Sequence, residues 1–245
     1  MMVARKLYKT YDEIAKVRLV SYSQPGPEFV DLLDTEESNT LTNLISFCAR
    51  VSNPTNQNNV ETAEKLLKYL IKHKHWSPFE MVNVCLEITS TRDIVRQILR
   101  HKSAFFQEYS QRYADPTKDL EFCLRECRLQ DTKNRQNSVA LDEDEYGLNG
   151  IWKQMQIEII EKAKMHYQYA VLHGIAKEVA RVILPEGNTV SRVYMNASLR
   201  TWIHFLEVRT GNGTQKEHQL VALEISKVIN EIFPQMSVIL EDMKV

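Results

Sequence analysis

The sequence predicts an α+β fold in a single domain, a central antiparallel or mixed sheet flanked by a helical bundle. Three observations carry this expectation. Segments that alternate apolar and polar residues, above all 81–91, are interleaved with segments whose apolar residues recur every three or four positions. No internal repeat and no linker divides the 245 residues, so one domain over 1–245 is expected. Hydrophobic residues make up 43% and charged residues 26%, which lets a chain of this length bury a core without disulfides or metals.

Taken in order, residues 16–23 alternate and form a strand closed by Pro25-Gly26-Pro27. Residues 40–51 place Leu41, Leu44, Ile45 and Cys48 at helical spacing, and a polar loop follows at 52–59. A second helix, 60–73, turns Leu66, Leu67, Leu70 and Ile71 to the core. The chain breaks at His75-Trp76-Ser77-Pro78-Phe79-Glu80. In the half-buried strand 81–91, Val82, Val84, Leu86 and Ile88 share the inner face, and Asn83, Cys85, Glu87 and Thr89 the outer one. Ser90 or Thr91 caps the next helix, whose positive N-terminus is matched by Asp93. An apolar bend, Ala104-Phe105-Phe106, leads toward a strand at 121–129, and the polar, acidic stretch 130–147 reads as a surface insertion. Beyond it, the pattern predicts a long helix over 149–173, a shorter one over 175–184, a strand at 189–195 and a helix at 199–208. Gly211-Asn212-Gly213 forms a tight turn before a helix at 214–233, and Pro234 opens a last short one.

The net charge of −1 provides no global field for nucleic acid or an acidic membrane, so any anion site must be local. No apolar run approaches the roughly 20 residues of a membrane span, and the first ten residues lack the apolar core of a signal peptide. Cys48, Cys85, Cys123 and Cys127 read as free thiols of a reducing compartment, which points to the cytoplasm. Neither the cysteines nor the seven histidines fall at metal-ligand spacing, so no metal site is expected.

The densest chemistry lies between Arg92 and Tyr113. At helical spacing Arg92, Arg96 and Arg100 share a stripe, with Gln97 beside Arg100 and with Ile94, Val95, Ile98 and Leu99 on the buried side. Taken alone, such a stripe is a solvated basic face. Its continuation, His101-Lys102 and then Glu108-Tyr109-Ser110-Gln111-Arg112, is a helix end followed by a donor-rich loop, a shape that wraps an anion. Arg92 and Arg96 are expected to be ordinary exposed charges, with the working part beginning at Gln97.

Arg100-His101-Lys102, seven residues, then Ser110 closely resembles the signature of the flavin-dependent thymidylate synthases, Arg-His-Arg, seven residues, Ser. Ala49-Arg50-Val51-Ser52, the loop His75-Trp76-Ser77-Pro78-Phe79-Glu80, the run from Glu178 through Arg181 to Pro185, and the run from Leu199 to Arg209 resemble further family segments in the same order. The resemblance implies reductive methylation of dUMP to dTMP, with a methylene from 5,10-methylenetetrahydrofolate and reducing equivalents from NADPH through FAD. It also implies a homotetramer with active sites built between subunits, and no attacking cysteine. By position it assigns Gln97, Ile98, Leu99, Arg100, Glu108, Tyr109, Ser110, Gln111, Arg112, Arg181 and Arg209 to dUMP. Arg209 is the catalytic group that stabilises the anion developing on the uracil. Ser110 serves as a phosphate or backbone ligand, because no general base adjoins it. FAD is assigned Ser77, Arg100, His101, Lys102, Glu108, Ser198, Leu199, Arg200 and His204, with Ser52 and His75 as further candidates.

Three positions depart from the family pattern. Lys102 replaces an arginine and loses its planar fork. Ser198 stands where many members carry asparagine, with Asn196 an alternative match. Gly213 occupies a position where some members carry a flavin-contacting histidine. The competing reading is a nucleotide-binding regulatory or nucleic-acid-binding protein without catalysis. A phosphotransferase would want a Gly-rich phosphate loop, and the chain has only seven glycines.

Overall fold

In a computed structural model the chain is described over residues 8–33, 40–141, 144 and 147–242. The architecture is α+β. Its strands are β1 (Lys9–Thr10), β2 (Lys16–Tyr22), β3 (Asn83–Thr91), β4 (Phe105–Glu108), β5 (Cys123–Leu124), β6 (Arg128–Gln130), β7 (Ser138–Ala140) and β8 (Val190–Ser198). Its helices are α1 (Tyr11–Ile14), α2 (Thr40–Ala49), α3 (Ala63–Lys72), α4 (Arg92–Ile98), α5 (Pro116–Asp119), α6 (Leu148–Leu172), α7 (Lys177–Ala180), α8 (Leu199–Thr210), α9 (Lys216–Ile232) and α10 (Gln235–Asp242).

The central sheet has the order β2-β3-β8-β4, and every pairing in it is antiparallel. Alternation along β3 buries Val84, Leu86 and Ile88 completely, and β8 answers with Val193, Met195 and Ala197. This inner face packs against α8 and α9, whose Trp202, Phe205, Leu206, Val221, Ala222 and Ile225 are also buried. Trp202 lies inside the core because its indole N–H has a partner, donating to the Val84 carbonyl at 3.0 Å. A smaller cluster of Phe122, Leu124, Ile160, Tyr167, Ala180 and Leu184 seats α6 and α7.

Register explains how the site is assembled. β3 and β8 pair with Asn83 opposite Ser198 and Thr91 opposite Val190. Each strand runs directly into a helix, β3 into α4 and β8 into α8. The two helices therefore start at opposite ends of the sheet and double back into the same core, so that the turn after α4 meets the last turn of α8.

The structure differs from expectation in several places. The bend at 104–106 is the start of edge strand β4, paired with Asn196–Val193 of a β8 that extends to Ser198. A four-residue strand with Phe105 exposed and Phe106 inward carries too little pattern to announce itself. The strand expected over 121–129 is split. Cys123–Leu124 pairs in parallel with β1, Arg125 turns into an ion cluster, and Arg128–Gln130 starts a hairpin with β7 inside the expected insertion. Residues 142, 143, 145 and 146 of that insertion lie outside the described residues. The helix expected over 175–184 shortens to α7 followed by a 3₁₀ turn, Arg181–Ile183.

Candidate functional site

Local chemistry sets α4 first. Thr91 takes the extended N-cap conformation, its hydroxyl donates to Asp93 at 2.5 Å, and the Asp93 carboxylate sits over the first turn. The helix ends at Ile98, where Arg100 and His101 close a tight turn through backbone bonds to Gln97 and Ile98. This turn delivers His101 to α8. Arg209 Nε donates to His101 Nε2 at 3.0 Å, and the His101 ring lies 4.6 Å from that of Phe205. The acceptor nitrogen cannot carry a proton, so His101 holds its hydrogen on Nδ1.

Among the described residues no carboxylate forms an ion pair with Arg209. Burial and the neighbouring Arg100 both lower the Arg209 pKa. Burial, Arg209 and His204 push the His101 pKa down to about 4. Arg100 and Lys102 are exposed and have no acidic partner among the described residues. A neutral imidazole set among cations that lack counter-ions suits an anionic, planar ligand.

A second group lies along β4 and the loop after it. Glu108 accepts from Ser191 at 3.1 Å and from Arg92 at 3.4 Å. The Tyr109 hydroxyl donates to Asp119 at 2.9 Å, and burial together with that carboxylate raises its pKa. Ser110 Oγ accepts from the backbone N–H of Arg112 at 3.3 Å, while the Arg112 side chain pairs with Glu178 at 3.2 Å. Gln111 and Arg181 share a cleft of about 380 Å³ with Arg92, Arg96, Glu178 and Glu186.

Arg92 corrects the expectation. Its side chain is 13% exposed and pairs with Glu108 and Glu186, so it holds the loop and is no free surface charge. Arg96 is exposed as expected and pairs with Glu186 at 2.6 Å. Ile98 and Leu199 are fully buried and Leu99 is half-buried, which leaves their backbone groups as the means of meeting a ligand. Ser198 caps α8, accepting from the Thr201 N–H, and Arg200 reaches back to Glu80, tying the loop of Ser77 to the start of α8. His204 is exposed on α8 beside Glu207 at 3.5 Å. Ser52 is exposed after α2, and His75 neighbours the rings of Tyr69 and His73. No hydrogen bond or ring contact among the described residues joins Ser52 or His75 to the Arg100–Arg209 cluster.

Sequence reasoning missed His218, Gln215, Ser191 and Asp119. His218 is fully buried on α9 beside Gln97 and Phe205, at a position whose helical spacing with Val221, Ala222 and Ile225 marks the core and nothing more specific. Burial, Arg209 and His101 push its pKa down to about 3.

Both folded-state histidine pKa values lie below the ordinary 6.5. An unfolded chain takes up these protons as pH falls below that value, whereas the native chain resists them. The native state is therefore undisturbed above about pH 6.5 and is expected to lose stability steadily from there toward pH 4. Thermal melts across that range check this. A melting temperature unchanged between pH 6.5 and 4.5 would contradict it.

Residues 31–235 match the family model described as thymidylate synthase complementing protein. The flavin-dependent thymidylate synthase of Synechocystis sp. is 44% identical over 225 residues, covering 92% of this chain and 99% of that protein. A probable flavin-dependent thymidylate synthase of Paramecium bursaria Chlorella virus 1 is 42% identical, covering 90% of this chain and 96% of its own length. Among solved structures, the UMP/dUMP methylase PolB from Streptomyces cacaoi, bound with 5-Br dUMP, superposes with a TM-score of 0.73 at 24% identity, over 93% of this chain and 95% of that one, which attests the fold. By the family model and these relatives, the chain belongs to the flavin-dependent thymidylate synthase family.

Proposed function

We propose that this chain reductively methylates dUMP to dTMP, using 5,10-methylenetetrahydrofolate as methylene donor and NADPH as reductant through bound FAD. The observation that carries this reading is the Arg100–His101–Arg209 cluster at the signature positions, two cations with no ion-paired carboxylate among the described residues around a neutral imidazole. These donors fit FAD: Arg100 and Lys102 are free for its pyrophosphate, and His101 offers a planar, uncharged ring. Bound there, the flavin supplies reducing electrons.

The chain's own residues bind and polarise the nucleotide. Ser110, Arg112 and Arg181 receive the phosphate, whose charge near −2 calls for more than one cation. Arg209, steadied through its Nε by His101, turns the rest of its fork to the uracil edge and stabilises negative charge developing there. Gln97, Glu108, Tyr109 and Gln111 complete the nucleotide's surroundings. Attack by Cys48, Cys85 or Cys123 is disfavoured, because burial raises their thiol pKa values, that of Cys123 to about 12.

The homotetramer is supported by α6, which exposes two apolar groups, Leu148, Trp152, Met155 and Ile159 along its first half and Met165, Tyr169 and Leu172 along its second. Free thiols suit the cytoplasm. No helix among the described residues is long and apolar enough to cross a membrane.

The deciding experiment measures the visible absorbance of the protein with FAD, NADPH oxidation with and without dUMP, and dTMP formed once methylenetetrahydrofolate is added. A yellow protein that makes dTMP is expected. A colourless protein that neither binds FAD nor oxidises NADPH would overturn the reading. Light scattering on the same sample addresses assembly, and an active monomer would overturn the tetramer.

A further inference from the structure

A chain of side-chain hydrogen bonds runs from the core, past Gln97, to a buried carboxylate. His218 Nδ1 lies 3.2 Å from Gln97 Oε1. Gln97 Nε2 donates to Gln215 Oε1 at 2.8 Å. Gln215 Nε2 donates to Glu217 at 3.0 Å. Glu217 closes the series between Arg128, at 2.7 Å, and Arg125, at 3.3 Å.

The direction of such a series is open while its members can turn. An amide can flip end for end, and a neutral imidazole can carry its proton on either nitrogen. Glu217 has no such freedom. Ionised between two guanidinium groups, it only accepts. Gln215 must then turn its amino group to Glu217 and its carbonyl to Gln97. Gln97 must donate to that carbonyl, so its own carbonyl faces His218. His218 must in turn hold its proton on Nδ1, leaving Nε2 bare. That nitrogen is indeed buried with no hydrogen-bond partner among the described residues. With its pKa pushed down to about 3 by burial, Arg209 and His101, the ring does not gain the second proton that would turn Nε2 into a donor.

We infer that Gln215, Glu217 and His218 are positioning residues that fix which way the Gln97 amide points, and therefore which of its donor and acceptor sites is left for the nucleotide. This rests on the proposed place of Gln97 beside dUMP. With two bonds committed, Gln97 keeps one N–H and one carbonyl lone pair for the polar edge of a pyrimidine. Were the amide free to rotate, half of its orientations would set like groups against the ligand, and each mismatch would weaken binding. The three residues act on affinity for the nucleotide and leave the flavin contacts at Arg100 and Lys102 untouched.

The test titrates dUMP into FAD-loaded protein and measures KM and kcat for wild type, Gln215→Met, His218→Leu and His218→Asn. Methionine keeps the length of Gln215, which is exposed, without its amide. Asparagine keeps an N–H near the place of Nδ1. Gln215→Met and His218→Leu should each raise the Kd and KM for dUMP about 3–10-fold, the change made by one neutral hydrogen bond. FAD affinity, kcat and Tm should stay close to wild type, and His218→Asn should restore most of the lost affinity. Unchanged dUMP affinity in Gln215→Met and His218→Leu would overturn the inference. So would failure of His218→Asn to improve on His218→Leu, or a loss matched by falls in FAD affinity and Tm. Wild-type protein that binds FAD but not dUMP would overturn the nucleotide reading itself.

Discussion

Replacing Arg209 with alanine is expected to lower kcat for dTMP formation by about 10²–10³-fold, the usual effect of deleting a donor that stabilises transition-state charge. Arg209 sits in the last turn of α8, half-buried, and among the described residues its side chain hydrogen-bonds to His101 alone. Deleting it leaves no carboxylate unpaired, so the fold should survive and the loss should appear in turnover. In the free protein Arg209 is held near Arg100 with its charge disfavoured by burial. Anionic character arriving on the substrate relieves that repulsion, which makes the interaction strongest where charge develops. Arg209→Lys should recover little, because an ammonium cannot donate sideways to His101 and forward to the uracil as a planar fork does. A second readout is independent of turnover. Without Arg209 the His101 pKa should rise from about 4 toward the ordinary 6.5, and the loss of stability below pH 6.5 should become shallower. Wild-type kcat in Arg209→Ala would remove Arg209 from the uracil-activating role.

What the sequence made legible follows from the range of the signals. Alternation in 81–91 is local, and it placed Val84, Leu86 and Ile88 on the inner face of β3. The helix end at Arg100-His101-Lys102 was legible because side-chain type and spacing suffice to describe it. Pairings across the chain were not. Arg92 reads as a surface charge until Glu108 and Glu186 are folded against it. Arg125 likewise reads as one residue of an alternating strand, yet it is drawn under α4 to Asp93 and Glu217. Strand β4 exists because β8 offers an edge, and no window of four residues contains that fact. His218 has the helical spacing of a core residue and only its neighbours give it a polar task. Ser52 and His75 are named by family spacing alone, and within one chain no hydrogen bond or ring contact among the described residues joins them to the Arg100–Arg209 cluster.

The largest expected loss of stability comes from Glu217→Ala, at about 3–5 kcal/mol, the cost of removing one partner from a buried ion cluster. Its side chain is 3% exposed. Burial acts to raise the Glu217 pKa, but Arg125, Arg128 and Gln215 outweigh it and hold the carboxyl below its ordinary value. Without that carboxylate, Arg125 and Arg128, 13% and 15% exposed, keep only the acids at one side, Asp93 and Glu126. The consequence reaches the site because Arg125 also anchors Asp93 at the start of α4, and α4 carries Gln97 and leads into Arg100. Urea denaturation of Glu217→Ala therefore should show the loss together with weaker dUMP binding. Replacing all three charges at once, Glu217→Leu with Arg125→Met and Arg128→Met, should recover part of the stability, because no buried guanidinium is then left facing an empty place, while Asp93, 29% exposed, loses its Arg125 partner to solvent. It should not recover dUMP affinity, since the acceptor that orients Gln215 and Gln97 is still missing. A loss below about 1 kcal/mol in Glu217→Ala, a value typical of exposed pairs, would mean that the cluster is hydrated and that Glu217 does not hold the orientation of the amides beside it.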